Sequence, residues 1–136
     1  MRLSWQEYAI QLAHVAKLRS EDPYTQVGAV ALASNHRVLG AAYNGLAPGK
    51  NVLPDFWEDR DARRPFMIHA ETNLLSLCKQ GEPYIVAITS TPCTSCAQAL
   101  AAYGVKEVVY SQIYHNDPIG LDILKFYEIK LTHIPV

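Results

Sequence analysis

Two short segments, His69-Ala70-Glu71 and Pro92-Cys93-Thr94-Ser95-Cys96, restrict the folds open to this chain more than any other feature. One histidine nitrogen and two cysteine sulfurs fill three corners of a zinc tetrahedron and leave the fourth for water, as in catalytic zinc sites. Each segment is predicted to begin a helix, and a helix plus a strand are predicted to separate the two starts. A crossover of this kind would bring two neighbouring helix starts together.

Glu71 lies two residues after His69, and its carboxylate is not needed as a metal ligand. Zinc lowers the pKa of water towards neutrality, so a carboxylate at this point can accept a proton and later return it as an acid. Taken singly, the histidine is typical of a helix cap and the glutamate of a first-turn acid that complements the helix dipole. Cys93-x-x-Cys96 alone is typical of a redox pair or of half a structural zinc site. Taken together, these residues predict a catalytic zinc centre.

The composition predicts one globular domain, residues 1–136, with 49% hydrophobic and 18% charged residues. No apolar run is long enough for a membrane span, and the N-terminus becomes polar too soon for a secretory signal. There are three cysteines, two of them in the C-x-x-C segment, which argues against a disulfide framework and for a reducing compartment. We therefore expect a cytoplasmic protein.

The charge balance argues against a polynucleotide partner. Lysine and arginine total 12 against 13 aspartates and glutamates, for a net charge of -1. Proteins that bind nucleic acid usually carry a basic excess or a basic stripe. The short basic cluster Arg60-Asp61-Ala62-Arg63-Arg64 is diluted by nearby acids. A free small-molecule substrate is therefore the expectation.

Local patterns predict the order α-β-β-α-β-α-β-α-β. Ser4 opens the first helix with a capping box, and Asp117 is predicted to cap the last helix, with Pro118 as its first residue. The predicted helices cover residues 4 to about 20, 69–79, from about 94, and 117–126. The predicted strands cover 27–33, 37–43, 84–89, 105–110 and 127–133, and 44–65 is predicted to be irregular. This order indicates an α/β fold in which helices cover one five-stranded mixed sheet.

Several segments of the chain resemble a known family. H-x-E together with P-C-x-x-C is the signature of zinc nucleobase deaminases. Residues 20–29, Ser-Glu-Asp-Pro-Tyr-Thr-Gln-Val-Gly-Ala, are similar to the family segment S-x-D-P-x-T-Q-V-G-A. Tyr43-Asn44-Gly45 matches the family turn G-Y-N-G, with Ala42 in place of the first glycine. Residues 69–73 match H-A-E-x-N, and 104–110 with Tyr114-His115 resemble the fourth strand and the loop after it. The chain thus resembles the cytidine deaminase superfamily and, within it, the deoxycytidylate (dCMP) deaminases.

The resemblance implies a cytidine-deaminase-like three-layer α/β/α sandwich. It also implies zinc-dependent hydrolytic deamination of dCMP to dUMP and ammonia, which supplies dUMP for thymidylate synthesis. In this interpretation Asn44 binds the sugar, Val27 packs on the base, and the backbone of Ala70 helps to recognise the edge of the pyrimidine. An Asn-Gly pair is also an ordinary turn, so Asn44 has a purely structural alternative.

The resemblance places the phosphate near donors at Arg19, Ser20 and Thr25, with Tyr114 closing over the pocket. Each of these assignments has a competing explanation. Ser20 and Thr25 flank Asp22-Pro23, where short polar side chains commonly cap a turn. Tyr114 is equally compatible with core packing.

Two departures from relatives shape the remaining expectations. Some phage relatives bind an additional structural zinc through cysteine and histidine in the long loop, but Leu46 to Pro65 contains neither residue. We therefore expect one Zn²⁺ per chain. Relatives are also often hexamers regulated by dCTP and dTTP, and this chain has Lys79-Gln80 where phage relatives place an arginine tied to that regulation. A homo-oligomer, hexamer or dimer, is expected, and the response to dCTP and dTTP stays open.

Two other classes of function compete with this interpretation. One is a deaminase of another carrier, such as free cytidine or deoxycytidine, guanine, or tRNA adenosine. The Tyr43-Asn44-Gly45 turn and the near-neutral charge argue against a tRNA substrate. The other is a zinc-stabilised binding module without activity. An intact Glu71 argues against that class, because a structural zinc site does not need this acid.

Overall fold

The computed structural model describes all residues, Met1–Val136, and confirms the predicted order of strands and main helices. The helices are α1 (Trp5–Lys17), α2 (Arg60–Arg63), α3 (Ala70–Leu75), α4 (Thr94–Ala102) and α5 (Ile119–Phe126). The strands are β1 (Gly28–Leu32), β2 (Val38–Tyr43), β3 (Ile85–Ser90), β4 (Glu107–Gln112) and β5 (Lys130–His133). No helix is both long enough and apolar enough to cross a bilayer.

The strands form one mixed sheet in the order β2-β1-β3-β4-β5. β1 pairs antiparallel with β2 and β3, whereas β3 with β4 and β4 with β5 are parallel. Antiparallel neighbours can be joined by a tight turn, as β1 and β2 are, but parallel neighbours need a crossover. α4 and α5 supply the two crossovers, so the predicted five-stranded mixed sheet is confirmed.

Alternate residues of β1 pack on opposite faces of the sheet, because consecutive strand side chains point in opposite directions. Ala29 and Ala31 belong to a core cluster that also contains buried residues of α3, α4 and α5. Val30 and Leu32 belong to a second cluster, formed with α1. The sheet therefore lies between two helical layers, and the predicted three-layer α/β/α sandwich is confirmed.

α1 is fixed at its start by a cap and towards its end by a close contact with β1. Ser4 Oγ accepts the N–H of Glu7 at 3.0 Å, and the Glu7 carboxylate accepts the N–H of Ser4 at 2.9 Å, which is the predicted capping box. A Cβ on Gly28 would lie 2.0 Å from the Ala13 carbonyl oxygen and 2.7 Å from the Lys17 nitrogen. Only glycine permits this approach of β1 to α1. The contact fixes the backbone of Lys17, the last residue of α1.

The helix that follows His69 is shorter than predicted. It ends at Leu75 instead of continuing to residue 79. The N–H groups of Leu77 and Cys78 bind carbonyl oxygens three residues back, at 3.0 Å each. This tighter 3₁₀ pattern closes the last turn and rarely continues, so the apolar residues after Leu75 belong to a turn.

The prediction that residues 44–65 are irregular is wrong in part. This connection contains α2 and two short 3₁₀ turns, at Pro54–Trp57 and Arg64–Phe66. α2 is only four residues long and is capped by Asp59, whose carboxylate accepts the N–H of Ala62 at 3.1 Å. A helix of one turn has no apolar periodicity to detect, which is why the sequence pattern did not indicate it.

Candidate metal centre and substrate cavity

His69 and Cys93 are the N-cap residues of α3 and α4, and Cys96 lies in the first turn of α4. Nδ1 of His69 is 3.2 Å from Sγ of Cys96 and 3.5 Å from Sγ of Cys93. All three donor atoms lie within 4.8 Å of one another. The crossover therefore brings the two helix starts together as expected, although His69 stands just before its helix and not within the first turn.

α5 supports the cysteine segment through a backbone contact. A Cβ on Gly120 would lie 1.9 Å from the carbonyl oxygen of Pro92 and 3.3 Å from the carbonyl carbon of Cys93. Gly120 is the second residue of α5 and is buried. The absence of a side chain lets this helix press against the residues that carry the first sulfur, so their position depends on α5.

Asp117 holds the start of α4. Its carboxylate accepts the Thr94 N–H at 2.7 Å and the Thr94 hydroxyl at 2.9 Å, and the Thr94 N–H is the main cause that lowers the pKa of Asp117. The first N–H groups of a helix lack partners within the helix, and Asp117 satisfies one of them. The prediction that Asp117 is the N-cap of α5 is wrong, because Pro118 is in that position.

The donor set fits a zinc ion. With Zn–S near 2.3 Å and Zn–N near 2.0–2.1 Å, nitrogen and sulfur donors of a tetrahedral site lie roughly 3.6 Å apart. The distances from His69 Nδ1 to the two sulfurs, 3.2 and 3.5 Å, are close to this value. Without a cation, the Cys96 thiol lowers the pKa of Cys93 to about 3, and the Cys93 sulfur raises the pKa of Cys96. The two sulfurs thus share a proton that a divalent cation can replace.

Glu71 lies beside this cluster without being one of its three donors. It is the second residue of α3 and is only 5% exposed. Burial is the main cause that raises the pKa of Glu71 to about 7. Its carboxylate lines the same cavity as His69 and Cys93. A carboxylate near a metal donor set, but outside it, is placed to move protons.

A cavity of about 510 Å³ is lined by 22 residues, which include two of the three donors, His69 and Cys93. Five of the seven predicted substrate contacts line it, namely Thr25, Val27, Asn44, Ala70 and Tyr114. Tyr114 is half-buried, and its N–H donates to Thr91 Oγ1 at 2.7 Å. It therefore belongs to the cavity wall and not to the core.

Asn44 sets the shape of one cavity wall. Its Oδ1 accepts the Val27 N–H at 2.9 Å, and its Nδ2 donates to the Thr25 carbonyl at 2.8 Å. An amide side chain has two N–H donors and two lone pairs on its oxygen, so one of each stays free. Asn44 can therefore order the residues that lead into β1 and still bind a hydroxyl group of a ligand.

Arg19 and Ser20, which were predicted to hold the phosphate, are not among the residues that line this cavity. Ser20 is 7% exposed, and its hydroxyl donates to the Asn44 carbonyl at 2.8 Å and accepts the Asp22 N–H at 3.3 Å. These bonds correspond to the turn-capping alternative. Arg19 is exposed and follows the end of α1, where the chain turns away from the helix axis.

Four basic side chains in the cavity wall were missed by the sequence pattern. Lys17 comes from the end of α1, and Arg60, Arg63 and Arg64 come from α2 and its cap. The arginines are three and four residues apart, a spacing that places side chains on one face of a helix. That spacing was the available signal, but it has meaning only if the segment is helical.

Known proteins resemble this chain in sequence and structure. The sequence model of the cytidine and deoxycytidylate deaminase zinc-binding region matches residues 3–112. The Homo sapiens deoxycytidylate deaminase is 36% identical over 126 residues, 84% of this chain and 68% of that protein. The Mycobacterium phage D29 deoxycytidylate deaminase is 33% identical over 124 residues, 80% of this chain and 95% of that protein. The crystal structure of the cyanophage S-TIM5 dCMP deaminase, with dCMP and dUMP, superimposes with a TM-score of 0.81 at 25% identity, covering 98% of this chain and 99% of that chain.

The zinc-binding region of the family includes the whole donor cluster. His69, Cys93 and Cys96 fall within residues 3–112 and form the one group of three or more His, Cys, Asp or Glu side chains gathered closely enough to hold a metal. The predicted cofactor, one Zn²⁺ per chain, agrees with both observations. The family match covers most of the chain, and the Homo sapiens and Mycobacterium phage D29 deaminases exceed 30% identity over more than two thirds of their length. The chain therefore belongs to the cytidine and deoxycytidylate deaminase family.

Proposed function

We propose that this chain converts dCMP and water to dUMP and ammonia, and so supplies dUMP for thymidylate synthesis. The observation that carries the proposal is that a buried carboxylate, which is not a donor, lines one cavity together with His69 and Cys93 of the zinc donor cluster. The relatives named deoxycytidylate deaminase support dCMP as the substrate, as does the structural neighbour in complex with dCMP and dUMP.

In this proposal His69, Cys93 and Cys96 hold the zinc. When bound, zinc supplies the Lewis acidity that makes water a nucleophile near neutral pH. Glu71 takes one proton from the attacking water and gives it to the ring nitrogen next to the amine-bearing carbon. A carbon–oxygen bond forms at that carbon. Glu71 then passes the second proton to the amine, the carbon–nitrogen bond breaks, and ammonia leaves.

The substrate assignments are proposals as well. Asn44 would bind a sugar hydroxyl through the amide capacity that its bonds to Thr25 and Val27 leave free. Val27 is half-buried in the cavity wall and would pack on the base. The backbone of Ala70, between His69 and Glu71, would contact the pyrimidine edge. Thr25 and Tyr114 line the cavity and complete the proposed set.

The remaining proposals concern the domain organisation, the cellular compartment, the oligomer and the effectors. Residues 1–136 would form a single catalytic domain in the cytoplasm. A homo-oligomer, hexamer or dimer, is proposed by resemblance to the family, with dCTP and dTTP as proposed effectors. Exposed aromatic side chains at Tyr24, Phe66 and Phe126 offer apolar surface for subunit contacts.

The proposed reaction is tested by the ultraviolet absorbance of the cytosine ring. The zinc-loaded protein is given dCMP, deoxycytidine and dCTP in parallel, and we expect absorbance loss to be fastest with dCMP. Removal of zinc by a chelator should abolish the loss, and added zinc should restore it. Turnover of deoxycytidine without turnover of dCMP would contradict the proposed substrate.

A further inference from the structure

Basic side chains are concentrated in the substrate cavity. Of the 12 lysines and arginines in a chain of net charge -1, Lys17, Arg60, Arg63 and Arg64 line this one cavity. The acidic side chains in its wall are Asp22 and Glu71. Glu71 is the proposed proton carrier beside the zinc donors, so Asp22 is the one carboxylate left to balance the four cations.

Asp22 is already paired, with Arg63. Nη1 of Arg63 lies 2.8 Å from Oδ2 of Asp22, in the one ion pair of the structure, and the two side chains are 6% and 3% exposed. The guanidinium also lies 5.6 Å from the ring centre of Tyr24 and 5.5 Å from that of Trp57. Buried in this way, Arg63 fastens α2 to the turn that follows α1.

Lys17, Arg60 and Arg64 are left without protein partners. None of them forms an ion pair or a side-chain hydrogen bond. Arg60 and Arg64 are four residues apart, a spacing that places two side chains on the same face of a helix. Both side chains line the cavity, as does that of Arg63. Lys17 is held nearby by the close packing of α1 on Gly28. The cavity therefore contains three positively charged side chains that have no counter-ion in the protein.

We propose that Lys17, Arg60 and Arg64 bind the 5′-phosphate of the substrate and make the enzyme specific for a nucleoside monophosphate. This inference rests on the proposed function, since it identifies the part of the cavity that distinguishes dCMP from deoxycytidine. A phosphomonoester is close to a dianion at neutral pH, and arginine can bind two of its oxygens at once. The assignment replaces Arg19 and Ser20, which lie outside the cavity.

Substitution of each basic side chain tests the assignment through substrate preference. In Lys17→Gln, Arg60→Gln and Arg64→Gln we expect kcat/KM for dCMP to fall by about tenfold or more, because charge-assisted hydrogen bonds are lost. The value for deoxycytidine should change less than about twofold, since that substrate has no phosphate. Arg37→Gln, at an exposed site outside the cavity, is the matched control. Equal losses for both substrates would indicate a structural role and overturn the proposal, as would a selective loss of dCMP turnover in Arg19→Gln alone.

Product binding separates this proposal from the proposed reaction. Calorimetry on the zinc-loaded protein compares dUMP with deoxyuridine, and requires no turnover. We expect dUMP to bind more tightly to the unsubstituted protein and to lose this advantage in Arg60→Gln and Arg64→Gln. A protein that deaminates neither substrate but shows this pattern would refute the reaction and support the phosphate site. Unchanged dUMP affinity in both variants would overturn the phosphate site even if dCMP is turned over.

Discussion

The cavity wall has two sides that are built differently. The metal side consists of His69 and Cys93, with Cys96 behind them, and these residues stand at the starts of two helices that cover the sheet. The cationic side consists of Lys17, Arg60 and Arg64, which come from the end of α1 and from a one-turn helix in a long connection. The residues of the metal side are held where α3 and α4 begin, next to the sheet. Arg60 and Arg64 of the cationic side are attached to that framework mainly by one buried ion pair, between Arg63 and Asp22.

This difference suits two proposed roles, the reaction on the metal side and recognition of the substrate on the cationic side. His69, Cys93, Cys96 and Glu71, the proposed donors and proton carrier, are positioned by the core, because a shift of either helix start would disturb the packing of the sheet. Arg60 and Arg64 depend on the placement of α2, which contributes no residue to either core cluster, whereas Lys17 is placed by α1. Changes in α2 should therefore alter the preferred substrate and leave the zinc site intact. Changes in the metal side should abolish the reaction for every substrate.

Glu71→Gln is the sharpest test of the metal side. Glutamine keeps the size and polarity of the side chain but cannot accept a proton from water. We expect kcat to fall by about 10³-fold or more, with zinc content unchanged because Glu71 is not among the three donors. Metal analysis and the ultraviolet assay on the same sample measure both quantities.

Glu82→Gln is the matched control for that substitution. Glu82 is exposed and outside the cavity, and its carboxylate accepts the Lys79 N–H at 2.6 Å. We expect this variant to retain full turnover. Retained activity in Glu71→Gln would refute the proton-carrier role, and loss of zinc in that variant would show that the carboxylate belongs to the donor set.

The buried ion pair tests the attachment of the cationic side. Arg63→Gln leaves the Asp22 carboxylate buried without a counter-ion, which we expect to cost about 3 kcal/mol of unfolding free energy. Asp22→Asn in the same chain should recover part of this loss, because it removes the unpaired charge. Urea unfolding of the zinc-loaded single and double variants measures the coupling. Strictly additive effects would show that the ion pair does not hold α2 in place, and a loss of zinc in Arg63→Gln would contradict the separation of the two sides.

The core and the metal side could be predicted from the sequence because their signals are local or periodic. Strand segments such as Gly28–Leu32 are apolar and bounded by turns, and the order of strands and helices limits the connections. His69, Cys93 and Cys96 lie beside helix starts, so recognising the helices also placed the donors. The same reasoning overestimated the length of α3, since apolar residues after Leu75 continue the pattern without continuing the helix.

The cationic side could not be predicted because its signal is tertiary. The cluster that contains Arg60 and Arg64 was interpreted as diluted by its acids, but those acids are exposed and outside the cavity. Ser20 matched a family segment, yet its hydroxyl is used within a turn. Asp117 showed a capping pattern, but its carboxylate caps a helix that begins 23 residues earlier at Thr94. Sequence spacing cannot show which helix start a carboxylate reaches.

Gly120→Ala tests how rigidly the metal side depends on its neighbours. A methyl group at this position would lie 1.9 Å from the Pro92 carbonyl oxygen, a backbone atom that cannot move alone. Either α5 shifts or the segment carrying Cys93 does, and a shift of the sulfur weakens the donor set. We expect zinc affinity to fall by about 10- to 100-fold, measured by competition with a chelator of known affinity.

Gly40→Ala is the matched glycine substitution, because its added methyl would meet only the end of the exposed Leu77 side chain, 2.8 Å away at Cδ1. That side chain can move, so zinc affinity should stay within about twofold of the unsubstituted value. If Gly120→Ala also keeps full affinity, α5 must yield and the metal side is held by α3 and α4 alone. If it loses zinc while Arg63→Gln keeps it, the two sides of the cavity depend on different contacts, which is what allows substrate preference to change without loss of the reaction.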